Sequence, residues 1–211
     1  MKVQNTGKKK SKLKIIIIVL VVLAVIGAVG GGSGESGDAS NKQGATSEQS
    51  QQVDESKDDN VPTEYKSALK KAASYSSTLH MSKQGIYDQL TSEHGEKFAP
   101  EAAQYAIDNL DADYKANALA KAENYSDTLH MSKQGIYDQL VSSSGEKFTA
   151  DEAQYAVDNL DADYKANALA KAKDYQSNMD MSPEAIRGQL TASAGEKFTQ
   201  EEADYAIAHL K

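Results

Sequence analysis

The sequence predicts an all-α protein: three tandem helix-turn-helix-like three-helix repeats, set after an N-terminal transmembrane helix and a disordered linker. Three observations predict it. Residues 61–211 repeat themselves at a spacing of 50. Within each copy, apolar residues recur at helical spacing between residues that cap helices. Residues 15–32 form an apolar run in an otherwise polar chain.

The N-terminal part divides by composition. Residues 1–14 hold six lysines and no acid, which reads as a basic cytoplasmic tail. Residues 15–29 are IIIIVLVVLAVIGAV, and Gly30, Gly31 and Gly32 extend the run. As a helix it would span roughly 27 Å, against a hydrocarbon core of about 30 Å. The flanking lysines keep the N-terminus inside and send everything after Gly32 outside. A cleaved signal peptide is the competing reading, because Ala28-Val29-Gly30 offers small residues for cleavage. The rest of the chain is exported under either reading. Residues 33–60 are rich in Gly, Ser, Gln, Asp and Glu and contain no aromatic residue, so they read as a flexible tether with a reach of around 30 Å.

The copies fall at 61–110, 111–160 and 161–211. YSSTLHMSKQGIYDQL (75–90) returns as YSDTLHMSKQGIYDQL (125–140) and as YQSNMDMSPEAIRGQL (175–190). DADYKANALAKA stands unchanged at 111–122 and 161–172, and GEKF occurs in all three copies. Such identity marks a tandem array. In the middle copy, Tyr114, Ala118, Ala122 and Tyr125 make the apolar stripe of a first helix, over roughly 114–126. A break follows at Leu129-His130-Met131. Ser132 then caps a short second helix to about Val141, and Ser182-Pro183-Glu184 states the same start in copy three. Gly145, repeated as Gly95 and Gly195, is expected to take positive φ. Thr149-Ala150-Asp151-Glu152 and Thr199-Gln200-Glu201-Glu202 are capping boxes for a third helix, which packs through Ala153, Ala156, Val157 and Leu160. Copy one uses Ala99-Pro100-Glu101 instead, with proline at the first helical position.

Asp-Ala-Asp at 111–113 and 161–163 contains neither Gly nor Pro. The sequence therefore favours helix three running straight into helix one of the next copy. The competing reading makes Asp111 and Asp161 N-caps of separate helices. The apolar set repeated in each unit is Tyr125, Met131, Ile136, Leu140, Phe148, Tyr155, Val157 and Leu160. That is a small core for 50 residues, so one copy alone is marginal and gains from a neighbour.

Composition excludes several function classes. With no cysteine there is no disulfide framework, thiolate metal site or cysteine nucleophile. The residues from Val61 onward carry 24 acids against 15 Lys and Arg, a balance of -9. A reader of DNA needs a basic face, so nucleic-acid binding is excluded despite the helix-turn-helix pattern. His80 and His130 give way to Asp180 in copy three, and no second histidine stands one turn away. They read as solvated residues at a helix break, with no metal site. No unit assembles a nucleophile, base and orienter. The reading is no enzyme and no cofactor. Repetition of one unit suits a binding surface. The candidate contact residues are Asp111, Asp113, Asp161 and Asp163. Tyr75, Tyr105 and their equivalents read as core; Tyr87 and Tyr137, replaced by Arg187, read as surface.

The string YS-TLHMSKQGIYDQL followed by GEKFT-DEAQYAVDNL resembles the repeat of the Ltp family, the host cell surface-exposed lipoproteins of Gram-positive bacteria and their phages. The resemblance covers all three copies, over 64–210. It implies small three-helix repeats displayed outside the membrane. It further implies superinfection exclusion, in which a prophage product blocks DNA injection by a second phage, through a tail component such as the tape-measure protein. The family name implies a lipidated cysteine after the apolar segment, where this chain has Gly30-Gly31-Gly32-Ser33. The expected partner is thus a basic segment of an incoming tail protein, drawn electrostatically to the acids. A general cell-envelope adhesion or wall-associated module is the alternative.

Overall fold

The structure is a computed structural model that describes residues 60–211. The anchor, signal-peptide and tether readings fall on residues outside that range, apart from Asn60. Among the described residues, no helix is long and apolar enough to cross a membrane.

Nine helices and no strand make up the described residues, three helices to a copy. Copy one contains α1 (Thr63–Leu79), α2 (Lys83–Thr91) and α3 (Pro100–Asn109). Copy two contains α4 (Tyr114–Leu129), α5 (Lys133–Val141) and α6 (Ala150–Asn159). Copy three contains α7 (Tyr164–Met179), α8 (Pro183–Thr191) and α9 (Gln200–His209). The all-α, three-by-three reading of the sequence is what the chain adopts.

Local chemistry explains the boundaries. The long first helix of each copy ends in a residue with left-handed φ: His80, His130 or Asp180. His130 donates its N–H to Ser126 O at 3.0 Å, and Met131 donates to Tyr125 O at 3.2 Å. These bonds wrap back onto carbonyls of the last turn and satisfy the helix end around a left-handed residue, a place usually taken by glycine. His and Asp are among the non-glycine residues that tolerate that conformation best, so the histidine is a helix terminator. Ser82, Ser132 and Ser182 cap the short second helices, each hydroxyl accepting from the backbone three residues on. Thr149 and Thr199 form complete capping boxes with Glu152 and Glu202. Pro100 opens α3 as expected.

Two expectations fail here. The continuous junction helix does not exist: α3 stops at Asn109 and α4 starts at Tyr114. Leu110 takes extended angles (φ -76, ψ 119), and Asp113 Oδ1 accepts from Ala116 N at 3.0 Å. The capping carboxylate competes with helix continuation and wins. The cap is Asp113, and correspondingly Asp163, two residues beyond the alternative placement at Asp111 and Asp161. Nor does Gly145 take left-handed φ. Its value is steric: a Cβ there would lie 2.7 Å from Gln139 O and 2.8 Å from Gln139 Nε2. The same approach recurs at Gly95 and Gly195, and the left-handed residue comes two positions later, at Lys97, Lys147 and Lys197.

Each copy has its own core. In copy two it is Ala118, Ala122, Tyr125, Ile136, Leu140, Phe148, Ala153, Ala156 and Val157. Alanines fill the facing positions of the first and third helices in every copy, which leaves room for close helix approach. Tyr155 departs from expectation: it is 39% exposed. It lies off the Ala153–Ala156–Val157 stripe, with Lys115 Nζ 5.4 Å from the ring centre, a cation–π distance. Tyr205 is likewise exposed under Lys165, and Tyr105 packs against Tyr65.

Candidate functional site: the junctions between copies

Successive copies meet through polar groups more than through a shared core. Asn117, on the otherwise alanine-rich α4, is 7% exposed. Its amide donates to Ser76 Oγ at 2.8 Å and to Met81 O at 3.0 Å. Ser82 Oγ donates to Glu146 O at 2.5 Å, and Lys147 pairs with Asp88. All four contacts recur fifty residues on: Asn167 with Ser126 and Met131, Ser132 with Glu196, and Lys197 with Asp138. The apolar part of the contact is Tyr114, which packs on the core of copy one, and Tyr164, which packs on that of copy two. Each hydroxyl is buried without a hydrogen-bond partner. Burial pushes both phenols up, helped by Glu152 at Tyr114 and by Glu202 at Tyr164.

Beside each junction lies a shallow acidic depression. Asp111, Asp113, Tyr114 and Lys115 form one side of the first, and Thr149, Asp151 and Glu152 form the other, around about 560 Å³. The second, about 580 Å³, is bounded by Asp161, Asp163, Tyr164, Lys165, Thr199, Glu201 and Glu202. Each thus brings four acids against one lysine. The four acids expected from the sequence stand two and two in these depressions, but their duties differ. Asp113 and Asp163 are committed to helix caps, as are Glu152 and Glu202. Among the described residues, Asp111, Asp151 and Asp161 are exposed and enter no hydrogen bond or ion pair. Glu201 pairs with Lys165 at 2.7 Å; that hydrogen bond holds its carboxyl below the usual range. Copy one has Val61, Thr63 and Ala102 where the later copies have Asp, Asp and Glu, so the cluster belongs to copies two and three.

Each depression opens through Thr149 and Glu152 (or Thr199 and Glu202) into a groove between copies, about 310 Å³ at the first junction and 340 Å³ at the second. Tyr87 and Ile107 line the first, with Lys83 and Lys147 at its rim. Tyr137 and Val157 take the same places in the second. Tyr87 and Tyr137 therefore sit half-buried in the grooves. Sequence reasoning missed Asn117 and Asn167; the available signal was an amide inside DADYKANALAKA where copy one has Ser67. It also missed a polar triad inside each copy. Tyr75 donates to Glu96 at 2.5 Å, and Lys71 pairs with the same carboxylate at 3.0 Å. Burial and the Glu96 bond push the Tyr75 phenol up to about 12. The Tyr75 bond, then Lys71, hold Glu96 low. Tyr125–Glu146–Lys121 and Tyr175–Glu196–Lys171 repeat the triad.

Fold and site together define a tandem-repeat helical protein with an acidic, grooved face at each copy boundary. The chain belongs to the family described as "Host cell surface-exposed lipoprotein", which it matches at residues 63–110, 113–160 and 163–210. Among solved structures it is similar to that of Ltp, a superinfection exclusion protein from the Streptococcus thermophilus temperate phage TP-J34, at 50% identity. That likeness covers 46% of this chain and 95% of the other, with a TM-score of 0.43. No curated protein matches the chain.

Proposed function

We propose that the chain is a non-enzymatic, membrane-anchored surface protein that acts in superinfection exclusion by binding a tail protein of an incoming phage. The observation that carries the binding mechanism is the acidic depression repeated at two junctions, with Asp111, Asp151 and Asp161 presented to solvent and unengaged. Acids that cap helices are explained by the fold; Asp111 and Asp161 lie outside any helix, and Asp151, in the first turn of α6, makes no side-chain hydrogen bond or ion pair among the described residues. A basic partner segment is drawn to them at long range, and apolar side chains then seat over Tyr87 and Ile107, or Tyr137 and Val157. Membership of a family described as surface-exposed supports placement of the repeats outside the membrane. Two equivalent sites on one chain raise avidity for a partner that spans both.

The test is a sensitive host that expresses the full chain. Phage is expected to adsorb normally while its DNA fails to enter, since a membrane-anchored protein acts after receptor binding. Reduced adsorption with normal entry of whatever adsorbs would sink the mechanism and move the protein to receptor masking or adhesion.

A further inference from the structure

The two faces that meet at a junction differ, and each changes where no copy stands against it. The outgoing face of copies one and two offers Ser76 or Ser126, the carbonyl of Met81 or Met131, Ser82 or Ser132, and Asp88 or Asp138. Copy three keeps Met181 and Ser182 but has Gln176 for the first serine and Gly188 for the aspartate. Gly188 removes the partner of an incoming lysine, and Gln176 puts a longer side chain where the incoming amide would land. Arg187 replaces Tyr87 and Tyr137 and turns onto its own copy, with Nη1 3.1 Å from Asp204.

The incoming face is altered at the other end. Copy one has Ser67 where Asn117 and Asn167 reach across, and Glu64 where Tyr114 and Tyr164 pack. The Glu64 carboxylate instead accepts from Ala99 N at 3.0 Å, which satisfies a backbone donor ahead of α3, the helix that lacks a threonine cap. Lys97 is retained, yet its side chain is 64% exposed and lies 3.9 Å from Glu93; Lys147, engaged with Asp88, is 33% exposed.

We infer that the junction face is a recognition surface for another copy of this repeat, and that the substitutions at both outer faces close the array. Head-to-tail faces that stayed complementary at both ends would join chain to chain into open filaments. Closed ends keep the acidic depressions on finite chains, the part terminal repeats play in other solenoids. The inference stands whatever the depressions bind.

The test opens one face at a time in the full chain, purified in detergent. The first variant carries Gln176→Ser, Arg187→Tyr and Gly188→Asp; the second carries Glu64→Tyr and Ser67→Asn. Each is labelled with one member of a fluorescence energy-transfer pair. The mixed variants are expected to associate at least about tenfold more tightly than wild type with itself, the factor that one restored polar pair is worth. Adding Lys97→Ala to the second variant removes the ion-pair partner and should weaken the mixed pair. Where Glu64→Tyr unfolds copy one by loss of its hydrogen bond, Ser67→Asn alone takes its place. No gain in transfer between variants shown helical by circular dichroism overturns the inference. Equal self-association by wild type overturns it too.

Discussion

Removing the buried amide at the first junction tests how the copies are held together. In Asn117→Ala, Ser76 Oγ and the Met81 carbonyl both lose their donor, at 2.8 and 3.0 Å respectively. A buried acceptor left without a partner costs about 1–3 kcal/mol, so about 2 kcal/mol is expected. For a chain of this size that lowers the melting temperature by roughly 4–8 °C, at roughly 2–4 °C per kcal/mol. Asn167→Ala should cost the same, because its partners Ser126 and Met131 repeat the geometry. The two sites share no partner, so the double variant should lose about 4 kcal/mol. Asn124→Ala is the control: it is exposed on the same helix, and a surface change of this kind stays within about 0.5 kcal/mol. Urea and thermal unfolding followed by far-ultraviolet circular dichroism read all four. If Asn117→Ala and Asn124→Ala are indistinguishable, the polar junction is decoration and the copies are independent beads.

Gly145→Ala should destabilise by about 1–3 kcal/mol, as overpacking does, because its Cβ meets a backbone oxygen at 2.7 Å; Gly188→Ala, with nothing within 4 Å, should instead gain up to about 1 kcal/mol of helix propensity. Denaturant midpoints for the pair check both signs. Tyr125→Phe should cost more than Tyr75→Phe, since it strips a bond from Glu146, 14% exposed, against 24% for Glu96; equal losses in the same assay would dismiss burial as the cause. The Tyr75 phenol lies above its ordinary value of 10.0, at about 12, so its contribution is intact below pH 10 and fades as pH rises from 10 toward 12. Glu96 lies below its ordinary 4.5; its contribution is present above that value and fades as pH falls through the lowered one. Melting temperature against pH should therefore drop at both ends, and Tyr75→Phe should make both arms shallower, with Tyr125 and Tyr175, raised in the same way, and Lys71 beside Glu96 keeping the remainder.

Much of the fold was legible because its signals are local. Ser132, Thr149 and Pro100 mark helix starts by chemistry that involves only the next few residues, and 3.6-residue spacing gave Ala118, Ala122 and Tyr125. The failures are tertiary. Nothing in Asp-Ala-Asp prevents a helix; what ends α3 is the capping carboxylate of Asp113, with Tyr114 drawn into the preceding copy's core. Tyr155 repeats in every copy, yet it is an exposed ring that meets a residue of the first helix, Lys115 in copy two and Lys165 in copy three, where copy one pairs Tyr105 with Tyr65. Gly145 repeats because Gln139 folds against it, a contact that spacing does not display. Of the four candidate acids, Asp113 and Asp163 turn out to cap helices, and composition cannot tell a cap from a free carboxylate. Asp151, supplied by a different helix, became visible only when the chain was folded.

Those free carboxylates are where the functional reading is most exposed. The decisive variant is Asp111→Asn, Asp151→Asn and Asp161→Asn, which removes three charges, keeps side-chain size and leaves the caps at Asp113 and Asp163 intact. Hosts that express it and hosts that express the wild type are challenged with phage, and DNA entry is scored after equal adsorption. The helical content of the variant should be unchanged while most protection is lost. Binding of the wild type to the tail protein should weaken as added salt shortens the screening length below about 8–10 Å. Full protection by a folded triple variant would contradict electrostatic capture at the junctions.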